Sequence, residues 1–169
     1  FLINPFGGNV GIGTSSPQDL LHINSDTTDA RLLLDGHTNF DAELKFAENG
    51  SVKYTVGHDA ATDSFRIGTT NVDTNPRLVI DSSGRVGIGT SSPSANLHVS
   101  SSGDTIARIT SANGNASFLD LGDASDPDGG RIVYDSGSNL GFSTASSERM
   151  RIDSSGRVGI GTTSPDQKA

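Results

Sequence analysis

The sequence predicts an all-β fold of elongated tandem repeats. Three observations carry that expectation. A Val-Gly-Ile-Gly phrase recurs three times at nearly constant spacing, apolar residues come in short alternating runs, and large side chains are scarce. Apolar residues make up 32% of the 169 residues and aromatics 5%, with no Trp, so the chain has little with which to build a thick core. Glycine fills 21 positions, about 12% where ~7% is usual. Such a composition points to thin β structure whose burial is completed by other copies of the chain.

The repeat reads Asn9-Val10-Gly11-Ile12-Gly13-Thr14-Ser15-Ser16-Pro17, then Arg85-Val86-Gly87-Ile88-Gly89-Thr90-Ser91-Ser92-Pro93, then Arg157-Val158-Gly159-Ile160-Gly161-Thr162-Thr163-Ser164-Pro165. Val10 and Val86 are 76 residues apart, and Val86 and Val158 are 72 apart. Leu21-His22-Ile23 matches Leu97-His98-Val99, and Leu78 to Gly84 matches Met150 to Gly156. The phase divides the chain into the end of a preceding repeat (1–13), a first β unit (14–89), a second β unit (90–161) and a tail (162–169) leading to a downstream region. The chain opens without Met or a signal-like segment and is expected to be an internal or processed piece of something longer.

Each element has a local reason. After Val10-Gly11-Ile12, the Thr-Ser-Ser-Pro run is expected to form a short helical turn, capped by Ser16 or Ser92 with Pro at its first position. Leu20 and Leu21 then open a strand ending at Asn24. Ala42-Glu43-Leu44-Lys45-Phe46, Asn49-Gly50 and Val52-Lys53-Tyr54-Thr55-Val56 read as strand, tight turn and strand. Leu78 and Ile80 alternate with Val79. Asp81-Ser82-Ser83-Gly84 is turn chemistry, and Val86 and Ile88 then alternate with glycines, giving a strand with side chains on one face only. Glycine weakens a strand, so its recurrence calls for close approach of another backbone, which a neighbouring subunit of an intertwined fibre would supply. In the second unit, Phe118 to Leu121 and Arg131 to Tyr134 read as strands around a longer acidic loop. No segment carries helical amphipathicity over three turns.

The repeated phrase resembles the shafts of phage tail fibres and tail spikes, in which Gly-Asn-Val-Gly-Ile-Gly-Thr-Thr-Ser-Pro followed by Leu-His-Val recurs. The resemblance covers essentially the whole chain as a frame and is specific in the Val-Gly-Ile-Gly-Thr-x-Ser-Pro phrase. It implies an intertwined homotrimer, an elongated β fibre and a place in a virion's extracellular host-attachment apparatus, with adjoining fibre segments as further partners. In that family the phrase often precedes a C-terminal self-cleaving chaperone domain. None is visible here, so such a domain would lie downstream.

Composition excludes several roles. The formal net charge of -8 disfavours nucleic acid and anionic lipid surfaces. The absence of Cys removes disulfides and thiolate sites, and no apolar run spans a bilayer. Asp120, Asp123, Asp126 and Asp128 are the one cluster with calcium-type chemistry, but they lack the EF-hand spacing and read as a solvated acidic turn. His22 and His98 are equivalent and belong to the frame, facing opposite to Leu21 and Ile23. His37 and His58 read as loop residues. There is no Gly-x-Ser-x-Gly elbow, and Glu occurs only at 43, 48 and 148, so no catalytic residue stands out. Gly11-Ile12-Gly13 lacks the Lys and helix of a phosphate loop. Asn49-Gly50-Ser51 and Asn115-Ala116-Ser117 fit the glycosylation pattern. No catalytic, cofactor-binding or metal residues are therefore assigned. The expected function is a structural shaft supporting host attachment. The alternative is a glycan- or receptor-binding β module of a surface or secreted adhesin, reading Phe40, Phe46, Tyr54, Phe65, Phe118, Tyr134 and Phe142 as contact residues rather than packing. A depolymerase is a third, lesser reading.

Overall fold

The computed structural model describes residues 8–166, and within them the chain is all-β, with thirteen strands and no helix. They are β1 (Val10–Ile12), β2 (Leu21–Ile23), β3 (Ala42–Glu48), β4 (Ser51–Asp59), β5 (Ser64–Gly68), β6 (Leu78–Ile80), β7 (Val86–Ile88), β8 (Leu97–Val99), β9 (Ser117–Leu121), β10 (Gly130–Tyr134), β11 (Leu140–Thr144), β12 (Ser147–Ile152) and β13 (Val158–Ile160). Residues 1–7 of the expected leading remnant and 167–169 of the expected tail lie outside the described residues. Two compact units divide between Thr105 and Ile106. The first holds a parallel pair β1-β2 and a six-stranded sheet in the order β3-β4-β5-β6-β7-β8. The second holds a five-stranded antiparallel sheet in the order β13-β12-β11-β10-β9. The structural division falls later than the repeat phase at 89/90 because β8 pairs with β7 across that point.

The hairpins form where local chemistry dictates. Asn49 (φ 48°) and Gly50 (φ 78°) both take positive φ, the two-residue turn whose twist suits flanking strands. Asp81 closes the β6–β7 hairpin: its Oδ1 accepts the Ser83 and Arg85 amides, each at 2.9 Å, and its Oδ2 takes Arg85 Nε at 2.8 Å. Asp153 repeats this with Ser155 and Arg157. Asp135 repeats the amide pattern between β10 and β11, with Asn139 in place of Arg.

The Thr-Ser-Ser-Pro run does not form the expected helical turn. Thr14, Thr90 and Thr162 instead accept the amide two residues on at 3.1–3.2 Å, an ST turn. The run has a different task. Parallel strands usually need a crossover of a dozen or more residues, and β7 reaches β8 with eight, 89–96. Gly89 starts the reversal with φ 72°, and the strands lock through Val86 N–H to Asn96 O and Ser100 N–H to Ile88 O. β1 and β2 repeat the arrangement.

This crossover also explains the glycine inside each strand. A Cβ on Gly87 would lie 2.7 Å from the Thr90 carbonyl oxygen and 3.5 Å from Pro93 Cβ. Gly11 and Gly159 face Thr14 and Thr162 in the same way. Close approach of a backbone is therefore real, but the chain's own crossover supplies it and not a neighbouring subunit.

The core is nearly absent. Val72 and Val79 are the buried apolar side chains among the described residues, while Thr55, Asp59, Ser64 and Arg66 are buried polar ones. Register explains the inversion. Leu44, Val56, Ile67, Leu78, Ile88 and Val99 form one row across all six strands, and Ala42, His58, Phe65, Ile80, Val86 and Leu97 form the next on the same face. That face is open, with Leu44, Phe65, Ile80, Ile88 and Leu97 all exposed. The row on the opposite face, Glu43, Gly57, Arg66, Val79, Gly87 and His98, is the one the chain covers with its own loops. The second unit has the corresponding apolar row of Leu119, Ile132, Phe142, Met150 and Ile160.

Two outcomes follow from these contacts. Gly87→Val should lower the denaturant midpoint by the equivalent of roughly 1–3 kcal/mol, the usual cost of overpacking, while Ser83→Ala should leave it unchanged because Ser83 contributes only its amide to the turn. Hydrogen bonds hold the Asp81 and Asp153 carboxyls below the ordinary value of 3.8, the largest effect being the Arg85 and Arg157 amides; for Asp135 it is the Asn139 side chain. A depressed folded pKa contributes stability that is present above the unfolded value and lost as pH falls through the folded one. Thermal stability should therefore drop as pH falls below 3.8, and the paired substitutions Asp81→Asn and Asp153→Asn should flatten that drop in a melting series.

Candidate functional site

The densest polar chemistry lies on the covered face of the first unit. It forms because β3, β4 and β5 put Glu43, Thr55, Asp59, Ser64 and Arg66 on one side of the sheet, and residues 69–77 fold over them. Arg66 is the centre. Its guanidinium reaches Asp59 Oδ2 at 2.6 Å, Ser64 Oγ at 2.8 Å, Thr62 Oγ1 at 2.8 Å and the Val72 carbonyl at 3.2 Å. Asp59 Oδ1 accepts the Ala61 and Thr62 amides. Thr55 donates to the Thr70 carbonyl, and Glu43 accepts the Val72 amide at 2.9 Å. Burial works to raise the Glu43 carboxyl, and the bonds from Lys45 and the Val72 amide together bring it below its ordinary value.

Beside Arg66, Asp41, Asp59 and Asp73 place carboxylate oxygens within 4.8 Å of one another. Loss of solvation, then repulsion from Asp41 and Asp59, raises the Asp73 carboxyl above its ordinary value. Three such oxygens are the ligand type a hard cation takes. Here the guanidinium already neutralises Asp59, and Asp41 accepts the Ala60 amide at 2.8 Å. The geometry is that of a loop clamp. Sequence reasoning missed it because Asp41, Asp59, Arg66 and Asp73 belong to no motif, and only strand register brings them together.

The residues singled out from sequence fall elsewhere. Asp120 and Asp128 both pair with Arg131, and Asp123 caps its own turn through the Ser125 and Asp126 amides, so the acidic loop faces the chain's own donors. The Ser125 hydroxyl, the largest effect, and these amides hold Asp123 below its ordinary value. Arg131 also lies 4.4 Å over the Phe118 ring. Arg151 pairs with both oxygens of Glu148. The carboxylates of Asp120 and Glu148 raise the two guanidinium pKa values.

His22 and His98 are equivalent in space as in sequence: each Nδ1 accepts a backbone amide of its crossover, from Gln18 at 3.4 Å and from Ser94 at 3.3 Å. His37 lies in a loop, edge-on to Phe40, whereas His58, expected in a loop, lies in β4 paired with Phe65, and its Nε2 meets Asp63 at 3.0 Å. Asn49 is in the β3–β4 turn and Asn115 in the loop before β9. Among the aromatics, strand register puts Phe46, Tyr54 and Phe65 on the open apolar face of the first sheet, and Tyr134 and Phe142 on that of the second. Phe118 takes the other face, under Arg131.

No protein-family model matches the chain, and no curated protein matches it significantly.

Removing one partner of a buried ion pair leaves an uncompensated charge, at a cost of about 3–5 kcal/mol. Arg66→Met should therefore lower unfolding stability by that amount in urea. Adding Asp59→Leu to Arg66→Met should recover only part of the loss, because it removes the uncompensated carboxylate but leaves the Ala61 and Thr62 amides without their acceptor.

Proposed function

We propose that this chain is a structural shaft segment of a homotrimeric virion tail fibre, built of tandem β units and supporting host attachment from outside the cell. One observation carries the reading: the two larger sheets each carry a continuous apolar row, exposed at Leu44 and Ile88 in the first and at the Leu119 and Ile160 ends in the second, while the chain covers the polar side of the first sheet itself. A folded monomer of 17.4 kDa exposes about 7,900 Å², and two independent units of half that mass about 9,500 Å² together. This chain exposes 12423 Å². The excess, roughly 3,000 Å², is several times the ~800 Å² per partner of a standard interface. The repeated phrase adds support, because it resembles the phrase of fibre shafts that assemble as trimers.

In this reading the apolar faces of the three copies pack against one another, and the loops that cover the polar face of the first sheet, the polar face of the second and the turns meet water. The mechanism is mechanical. Interchain burial and backbone ladders resist opening, and the charge of -8 keeps the assembly soluble. The aromatics favour packing over a glycan-binding role, since five of the seven continue apolar strand rows. The segment acts on no substrate. It holds a receptor-binding part at a distance and contacts its own copies and the adjoining fibre.

Light scattering of the purified chain tests this. A species of about 52 kDa, three times the 17.4 kDa chain, is expected; a stable folded monomer would overturn the reading.

A further inference from the structure

Two stretches of the chain have the composition of strands and no ladder. Residues 30–34 read Ala-Arg-Leu-Leu-Leu and residues 107–110 read Ala-Arg-Ile-Thr, preceded by Ile106. They occupy matching places, each after a Leu-His-Ile/Val strand and before the first long strand of the next sheet. Both run without a turn or bend, and no residue in either takes positive φ. Neither makes a backbone hydrogen bond to any described residue. Their side chains stand in water: Leu33 is 82% exposed and Ile106 70%. Three consecutive leucines suit a strand covered on both faces, not a surface loop.

The matching acceptors are equally plain. β3 and β9 are edge strands, and β3, with seven residues, is the longest strand that leaves a ladder edge open. Long open edges are where another chain adds. Neither segment folds back onto the strand that follows it. The connection at 35–41 turns at His37–Phe40, with Asn39 at φ 66°, and enters β3 from its Ala42 end.

We propose that residues 30–34 and 106–110 are exchanged strands: each adds in register to the outer edge of β3 or β9 of a second copy of this chain. This rests on the homotrimer reading above and names the segments that intertwine the copies. The occupant is a second copy because each unit carries both donor and acceptor without joining them, and because the surface left open exceeds what a stable contact needs. Exchange would give the donor amides their partners, cover the edge and bury the leucines in one step.

Peptide-resolved amide hydrogen exchange on the assembled protein, its mass fixed by light scattering, is the test. Amides of 31–34 and 107–110 should exchange at least ~100-fold more slowly than the exposed residues 101–104. Coil-like rates in a 52 kDa species would overturn the exchange and leave the trimer standing, whereas a monomer with such rates would overturn both. The chain has no Cys, so single cysteines report cleanly. Leu33→Cys chains co-assembled with Leu44→Cys or Phe46→Cys chains should give interchain disulfides. Protection without any such disulfide would mean pairing within one chain and would overturn the proposal.

Discussion

The arrangement depends first on what Arg66 does to the polar side of the six-stranded sheet. A guanidinium taken out of water is costly unless every donor finds an acceptor. Here Asp59, Ser64, Thr62 and the Val72 carbonyl provide them, and no buried side-chain polar atom among the described residues is left without a partner. The planar fork matters, because a lysine would offer one point charge to four separated acceptors. The consequence reaches beyond the pair. Residues 69–77 are drawn over the sheet, Val72 is buried, and the polar face is closed by the chain's own backbone. The strand alternation then leaves the hydrocarbon rows with no cover from within the unit.

The repeated phrase solves a second problem, that of continuing a sheet in the same direction with little chain. Eight residues join parallel strands only if the backbone doubles back against the strand it has just left. That contact excludes a Cβ at Gly87, and Gly89 takes the left-handed conformation that starts the reversal. Thr90 fixes the Ser92 amide, Pro93 stiffens the bend and His98 receives the Ser94 amide. Residues spread over twelve positions, 87–98, thus form one object, which is why they recur together.

Much of this was legible in the sequence, and what was not has physical causes. The Asn49-Gly50 and Asp81-Ser82-Ser83-Gly84 turns announced themselves, because their residues are the ones that tolerate positive φ or bond their own backbone. The turn at Ala145–Ser146 carries no such mark. Ala145 and Ser146 adopt φ of 48° and 57° under constraint from the flanking ladder, so β11 was not separable from β12 by pattern. The glycines were rightly read as sites of close approach, but sequence does not say which backbone approaches. The loop clamp was invisible, since Glu43 and Val72 meet across 29 residues with no motif to announce it.

The two sheets differ in how they treat the polar side and agree in register. In the first, Arg66 and Asp59 are buried under a loop; in the second, Arg131 and Arg151 pair with Asp120 and Glu148 at half-exposed positions. The apolar rows are nonetheless matched strand for strand. A strand's side chains alternate with period two, so a slip of one residue would move a whole row to the other face. The Asp81 and Asp153 turns forbid that slip by tying the same two amides in each hairpin, and the middle glycine of the phrase leaves only one face able to carry hydrocarbon. The polar side differs between the two units in its ion pairs and loop lengths, while the apolar side stays in phase.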